Sequence, residues 1–372
     1  MSEPMNTVSG SETGQPPVEA LRPGTGPEAR SAAPVPAVST LPPAPPVRPG
    51  VRTLRVQHET VYEYDAPVEL AHHLAHLRPR PTPQQQIRHW QLEIDPMPDL
   101  ELPTATDMKD DFGPAASRRE GAWPVSVPPG VHQSQDVWGN WRAAFSHARV
   151  HDHLRVSSGF VVELRPSPTL QLFASPSWEE VAKRLRYHPG VPHDEAVEFA
   201  QPSVYAPRSG ALAQFAREAF TPAQPLLAGA MVLMQHIYRR FEYRPSATSV
   251  ATRAPEALAQ RRGVCQDFAH VMIAAMRSIG LAARYVSGYL LTQPPPGQPR
   301  LVGADASHAW VAVWCPLNGW VALDPTNGVP AGQDHVTLAW GRDYADVAPL
   351  RGVIRGGGRA QPRVAVTVEP LR

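Results

Sequence analysis

Cys265 is the residue of this sequence best suited to covalent chemistry, because it stands where a loop enters a predicted helix. The residues around it are Gly263-Val-Cys-Gln-Asp-Phe-Ala-His270. The unpaired N–H groups and the positive dipole end of a helix N-terminus stabilise a thiolate. A histidine partner lowers the pKa of a thiol further below its usual value of about 8.5. The alternative is a buried, inert cysteine, and the position of the thiol alone does not separate the two.

Two further residues change that balance. His308 stands at the entrance to the apolar run Ala309–Trp314, and Asp324 follows the run Trp320–Leu323. Adjacent strands would place the two side by side, so that the carboxylate fixes the imidazole tautomer and stabilises the imidazolium. Taken singly, His308 could be a packed interfacial histidine and Asp324 a turn former before Pro325. The order of cysteine on a helix, histidine on a strand and aspartate on the next strand is far more specific.

This order predicts a catalytic triad with Cys265 as nucleophile, His308 as base and Asp324 as the acid that orients the base. The backbone N–H groups of Cys265 and Gln266, at the helix start, could bind the oxyanion that forms during attack. Tyr243 is a further candidate donor, but for that residue a place in the apolar core is the preferred interpretation.

A helix packed on antiparallel strands is needed to bring these residues together, and the second half of the chain predicts both. Helical spacing of apolar residues occurs at 177–186, 211–219, 224–240, 254–261 and 266–278. Ser177, with Glu180 three residues later, is typical of a capping box. Strand-like runs follow at 284–291, 309–314 and 320–323. This pattern predicts an α+β domain.

The first half of the chain has a different composition and period. Residues 1–50 contain 12 of the 44 prolines and no aromatic residue of the Phe, Trp or Tyr type, which predicts a disordered tail. Alternating runs at 53–64, 71–78, 87–94, 141–145, 153–156 and 160–164 predict an antiparallel β domain. We therefore expect a tail at 1–50, an N-terminal β domain at 51–165 and a catalytic core at 166–372.

Composition restricts the class of partner. The net charge of +1 gives no global attraction toward nucleic acid or membrane, so we expect neither as a partner. Two cysteines cannot build a disulfide framework, no apolar run reaches the length of a membrane span, and no signal peptide is apparent, so we expect a cytoplasmic protein. Two runs are rich in histidine, with His72, His73 and His76 in one and His147, His151 and His153 in the other. A metal site needs converging ligands, usually with carboxylates or cysteine among them. We expect packed or solvated histidines there, with no metal and no cofactor.

Several sequence segments resemble the transglutaminase-like superfamily, in its bacterial two-domain form, over residues 52–370. The segments that carry the resemblance are Gly263–His270, Ala283–Tyr289, Asp305–Trp310, Asp324–Asn327 and Gly341–Pro349 in the core, with His58–Tyr64, Leu77–Arg80 and Trp138–Asn140 in the N-terminal region. The resemblance implies a papain-like fold, with a cysteine-bearing helix packed on an antiparallel sheet that carries histidine and aspartate. It assigns the roles of nucleophile, base and orienting acid to Cys265, His308 and Asp324.

Three functions are compatible with these residues. The first is cysteine-dependent acyl transfer on peptide or isopeptide amides through a thioester, with hydrolysis favoured because nothing marks an amine or calcium site. The second is protein cross-linking by transamidation, which differs only in the acceptor of the acyl group. The third is a non-catalytic peptide-binding module, which the presence of all three triad residues argues against. A peptide or protein substrate is expected in each case, and the oligomeric state is left open.

Overall fold

The computed structural model describes residues 50–100, 125–187, 189–190, 194–245, 247–292, 307–360 and 362–371. The predicted Pro-rich tail therefore lies outside the described residues, except for Gly50. Within these ranges the chain forms two main sheets, with helices packed on the smaller one. The predicted α+β class is confirmed.

The strands and helices follow the chain in a simple order. The strands are β1 (Arg52–Ala75), β2 (Gln85–Asp95), β3 (Val125–Ser126), β4 (His132–Gln135), β5 (Trp141–His147), β6 (His151–Leu164), β7 (Glu242–Tyr243), β8 (Arg262–Gly263), β9 (Ala283–Leu290), β10 (Ser307–Cys315), β11 (Gly319–Asp324), β12 (Val329–Pro330), β13 (His335–Gly341), β14 (Leu350–Gly356) and β15 (Arg363–Leu371). The helices are α1 (Trp178–Arg184), α2 (Gly210–Arg217), α3 (Leu226–Arg240), α4 (Ala254–Gln260), α5 (Cys265–Ser278) and α6 (Tyr344–Val347). No helix in the described ranges combines the length and the apolar character that crossing a bilayer requires.

The larger sheet is built around β1. Its order is β3-β2-β6-β1-β5-β4, and β14 and β15 also pair with β1. The first half of β1 lies between β6 and β15, so that Val56 faces Phe160 on one side and Val368 on the other. The second half lies between β5 and β14. Strands β14 and β15, which the sequence analysis placed with the core, therefore complete the N-terminal sheet.

The smaller sheet carries the helices. Its order is β12-β11-β10-β9-β13, with antiparallel pairing throughout. Helix α5 packs on it, and nearly all of that helix, from Gln266 to Arg277, is buried. Phe268, Met272 and Met276 are among the side chains that join the helix to the core. A sheet with one face covered by a central helix is the arrangement that the sequence pattern predicted.

Local signals in the sequence placed most elements within a few residues of their observed bounds. The capping box at α1 is confirmed, because Glu180 N–H donates to Ser177 Oγ at 3.4 Å and Ser177 N–H donates to Glu180 Oε2 at 3.1 Å. The runs predicted as separate strands at 53–64 and 71–78 form the single strand β1, whose irregular register near Val68 absorbs the polar stretch between them.

Two amide side chains of the N-terminal region bind the free edge of β13. Gln85 accepts from Thr337 N–H at 2.8 Å and donates to Thr337 C=O at 2.6 Å. Asn140 accepts from Trp340 N–H at 3.0 Å and donates to Trp340 C=O at 2.7 Å. Each amide thus satisfies one donor and one acceptor of an edge strand, as a neighbouring strand would.

Candidate active site

Helix α5 begins at Cys265, and side-chain contacts hold its first turn in place. The Asp267 carboxylate accepts from the N–H of Val264 at 2.8 Å and from the hydroxyl of Thr248 at 2.6 Å. A Cβ atom at Gly263 would collide with that carboxylate, which explains the glycine two residues before the cysteine. Burial raises the pKa of Asp267, although both hydrogen bonds oppose the shift. Asp267 therefore has a structural role at the helix start.

The two cysteines have different environments. Cys265 is partly exposed, whereas Cys315 is buried and its thiol donates to Asn318 Oδ1 at 3.2 Å within a turn. His308 and Cys315 lie at opposite ends of β10. Cys265 is therefore the cysteine available for chemistry at this site.

The structure brings the three predicted residues together. Strands β10 and β11 are antiparallel neighbours, and His308 Nε2 lies 2.7 Å from Asp324 Oδ2. The ring of His308 also interacts electrostatically with the side chain of Cys265. Because Nε2 faces the carboxylate, Nδ1 is the ring nitrogen left for the sulfur. The sequence expectation that His308 and Asp324 lie side by side is met by the geometry.

Asp324 is fully buried and receives hydrogen bonds at both oxygens. Oδ1 accepts from the N–H groups of Thr326 at 2.9 Å and Asn327 at 3.3 Å. Oδ2 accepts from Asn327 Nδ2 at 2.6 Å and interacts with the rings of His308 and His335, the latter at 3.1 Å. Donors on every side favour the ionised carboxylate and fix its orientation.

The charges of the pair are stabilised against burial. Burial alone would lower the pKa of His308, but the hydrogen bond to Asp324 and the interaction with Cys265 outweigh it and raise that pKa to about 10. Burial alone would raise the pKa of Asp324, but the hydrogen bonds from His308, His335 and Asn327 hold it well below its usual range. At neutral pH the arrangement thus favours an imidazolium beside a carboxylate, with a sulfur on the other side of the ring.

His335 is the site residue that sequence reasoning missed. It is the first residue of β13, and its Nε2 lies 3.1 Å from Asp324 Oδ2. The run from Val336 to Trp340 is rich in apolar residues and could have been assigned as a strand. Nothing in that local pattern, however, indicates that its first residue contacts Asp324.

Two candidate sources of oxyanion stabilisation lie at the helix start. The N–H groups of Cys265 and Gln266 belong to the first turn of α5, where helix geometry supplies no acceptor within the helix. Tyr243 is 54% exposed, so the alternative of a core tyrosine is wrong. Burial, followed by the charge of Cys265, raises the pKa of Tyr243, which places the phenol in the surroundings of the sulfur.

One group of possible metal ligands in the described part of the chain has donor atoms within 4.8 Å of one another, and it consists of His308, Asp324 and His335. A metal ion needs ring nitrogens with free lone pairs. Here the Nε2 atoms of both histidines point at the same carboxylate oxygen. The atoms that would bind a metal are already used in hydrogen bonds between the members of the group.

The two histidine-rich runs meet in the larger sheet. The ring centroid of His147 lies 6.0 Å from that of His73 and 5.1 Å from that of His151. Burial lowers the pKa of His73, to about 4, and also that of His147. The rings of His73 and His147 are thus packed and uncharged at neutral pH.

Comparison with known proteins agrees with this architecture. A crystal structure of a proposed cysteine protease from Cytophaga hutchinsonii superposes with a TM-score of 0.61 and covers 87% of this chain and 91% of its own, at 20% identity. The fold is thus that of papain-like and transglutaminase-like proteins. Residues 213–325 match the family model of the transglutaminase-like superfamily, and residues 54–113 match that of the bacterial transglutaminase-like N-terminal region.

Sequence relatives lead to the same family. An uncharacterized protein of Mycobacterium tuberculosis is 35% identical over 312 residues, which cover 82% of this chain and 88% of the relative. A protein-glutamine gamma-glutamyltransferase of Pseudomonas aeruginosa is 34% identical over 150 residues, or 39% of this chain and 22% of that enzyme. This chain belongs to the transglutaminase-like superfamily, in the bacterial form that joins the core to the N-terminal region.

Proposed function

We propose that this protein is a cysteine-dependent acyl-transfer enzyme that acts on peptide or isopeptide amides, with hydrolysis as its principal reaction. The observation that carries the proposal is the arrangement of Cys265 at the N-terminus of α5, the ring of His308 that interacts with it, and the buried Asp324 carboxylate that is bonded to this ring. A thiol, an imidazole and a buried carboxylate in this order are the parts of a nucleophile, a base and an orienting acid.

In the first half of the proposed reaction, the Cys265 thiolate attacks the carbonyl carbon of the amide. The N–H groups of Cys265 and Gln266 stabilise the oxyanion of the tetrahedral intermediate. The His308 imidazolium then donates its proton to the leaving amine as the C–N bond breaks. The products of this half are a free amine and a thioester on Cys265.

In the second half, His308 is neutral and accepts a proton from the water that attacks the thioester carbonyl. The C–S bond breaks, the carboxylic acid leaves, and the thiolate–imidazolium pair forms again. Asp324 keeps the His308 ring in one orientation throughout and stabilises its charged form.

A mass-spectrometric assay tests the proposal and separates hydrolysis from transamidation. The full chain is incubated with a glutamine-containing peptide library, with and without a primary alkylamine. We expect hydrolysed products in both samples, loss of turnover in Cys265→Ala, and full turnover in Cys315→Ala as the matched control. The proposal fails if Cys265→Ala retains turnover.

Transamidation is the second candidate, because the partial match to the Pseudomonas enzyme covers a protein named for that reaction. It uses the same thioester and replaces water with an amine. Amine adducts that outnumber hydrolysed products in the same assay would favour it. A peptide-binding module without chemistry would instead leave Cys265 as slow to alkylate near pH 6 as the buried Cys315.

We also propose a cytoplasmic location, with a peptide or protein as the partner. Both cysteines are free thiols in the structure, and a nucleophilic thiol persists best in a reducing compartment. Immunoblotting of separated cell fractions tests the location, and recovery in an extracytoplasmic fraction would contradict it.

A further inference from the structure

The buried carboxylate of the site faces two imidazole rings, although the proposed reaction needs only one. Asp324 Oδ2 lies 2.7 Å from Nε2 of His308 and 3.1 Å from Nε2 of His335. His335 lies beyond residue 325, where the match to the core family model ends. Its contact with Asp324 therefore calls for its own explanation.

The hydrogen bonds of His335 determine which of its ring nitrogens carries the proton. The backbone N–H of Gly332 donates to Nδ1 at 3.2 Å, so Nδ1 has a lone pair. A neutral ring then carries its proton on Nε2, and that proton points to Asp324. The ring is buried and stands edge-to-face against Trp310 at 5.3 Å, which restricts its rotation.

The position of His335 depends in turn on the N-terminal region. His335 is the first residue of β13, which is an edge strand of the smaller sheet. The free side of that strand is held by Gln85 at Thr337 and by Asn140 at Trp340. Both amide side chains are buried, with 3% of Gln85 and 0% of Asn140 exposed, so bulk water does not compete for these hydrogen bonds.

Arg80 reinforces the second of these contacts. Its guanidinium donates to Asn140 Oδ1 at 2.6 Å and lies 3.2 Å from the centroid of the Trp340 ring. The N-terminal region thus binds β13 through hydrogen bonds and a cation–π contact at the same strand. A strand held in this way keeps its first residue at a fixed distance from β11.

We propose that His335 is a positioning residue of the site, which holds the Asp324 carboxylate for His308, and that the N-terminal region supports it through Gln85 and Asn140 on β13. The inference rests on the proposed function. It adds a role for the N-terminal region, which acts on the site through β13.

Two substitutions separate this role from a merely structural one, because each keeps one of the two hydrogen bonds of His335. In His335→Gln the side-chain amide nitrogen can occupy the place of Nε2 and donate to Asp324. In His335→Asn the shorter side chain can accept from Gly332 but cannot reach Asp324. A positioning role requires the glutamine variant to behave like wild type, whereas a role in closing the 332–335 turn requires the reverse.

The readout is the rate of Cys265 alkylation by iodoacetamide at pH 6, measured on the full chain by mass spectrometry. We expect His335→Asn to react about tenfold more slowly than wild type, as the loss of one hydrogen bond to a charged group would cause. We expect His335→Gln to react at nearly the wild-type rate. Gln85→Leu, which removes the amide and keeps the shape, should slow the reaction in the same direction as His335→Asn.

His73→Phe is the matched control, because it changes a buried histidine of the larger sheet outside the site, and its alkylation rate should be that of wild type. A His335→Asn alkylation rate equal to or above that of wild type overturns the proposal. In that case the main effect of removing His335 is electrostatic, because an Asp324 carboxylate with one donor fewer stabilises the His308 imidazolium more strongly. An unchanged rate in Gln85→Leu overturns the part assigned to the N-terminal region.

Alkylation also distinguishes the two proposals, because it needs a reactive thiol and no substrate. If no amide is turned over, the proposed function fails while the His335 comparison still gives an answer. If a substrate is found, the positioning role predicts a lower kcat and an unchanged KM for His335→Asn.

Discussion

Asp324→Asn is the substitution whose effect the structure defines most closely. The new side chain has one oxygen and one NH2 group in place of two acceptors. If the asparagine oxygen still accepts from Thr326 N–H, the new NH2 group faces the Nε2–H of His335. That proton lies on Nε2 because the N–H of Gly332 donates to Nδ1. His308 can then bond the amide only by accepting at Nε2, which moves its proton to Nδ1. The ring would present a proton to the sulfur and could no longer accept one.

The size of the effect follows from the shifted pKa of His308. The site raises that pKa from 6.5 to about 10, which corresponds to roughly 5 kcal/mol in favour of the imidazolium. If Asp324 and Cys265 share this stabilisation about equally, loss of the carboxylate removes roughly 2–3 kcal/mol, or about a hundredfold in the population of the thiolate–imidazolium pair. Loss of the correct tautomer lowers turnover further, by up to about 10⁴-fold in total.

The assay is the pH dependence of Cys265 alkylation by iodoacetamide. Because the pKa of His308 is raised in the wild type, its imidazolium persists from acidic pH to about 10 and offers a positive charge to the sulfur over that range. In Asp324→Asn we expect slow reaction at pH 6 and a rise near the ordinary thiol pKa of about 8.5.

Asp343→Asn is the matched control for this substitution. Asp343 is buried and accepts from the N–H groups of Ala345 and Tyr205, both at 2.9 Å, so asparagine at this position also replaces a buried carboxylate that binds two backbone donors, but outside the site. We expect its alkylation rate at pH 6 to equal that of wild type. A wild-type rate in folded Asp324→Asn would refute the reasoning, because the carboxylate would then contribute nothing to the charge of His308.

Three further predictions concern the free energy of unfolding, measured by chemical denaturation. Burial lowers the pKa of His73 to about 4 in the folded protein, so the free energy of unfolding of wild type falls as the pH drops from 6.5 to 4. His73→Phe should remove about 3 kcal/mol of that loss, and an unchanged pH dependence would contradict this. Gly288→Ala should lose about 1–3 kcal/mol, because its Cβ would collide with the carbonyl of Val336 and the ring of Trp310; full stability would contradict the close approach. Arg277→Met should lower the free energy of unfolding by about 3–5 kcal/mol, because the buried guanidinium donates to three backbone carbonyls at 2.8 Å. A loss below about 1 kcal/mol would show that these carbonyls find other donors.

The sequence alone was sufficient to locate the residues now brought together at the site. Cys265 stands at a helix start and His308 at a strand start, while Asp324 stands at a strand end, and each position is defined by the few residues around it. Hydrophobic periodicity and capping act over one or two turns of helix or a few residues of strand. Since β10 and β11 are joined by a short turn, their pairing is also local, and it brings His308 to Asp324.

Only the tertiary structure revealed the environment of that site. His335 comes to Asp324 at the start of β13, a strand that the sequence analysis did not predict. Gln85 reaches β13 from 252 residues away in the chain. Strands β14 and β15, near the C-terminal end of the sequence, pair with β1, near the start of the described residues. Alternating periodicity indicates which face of a strand is buried but carries no information about which strand will be its neighbour, so contacts between distant segments depend on how the complete chain packs.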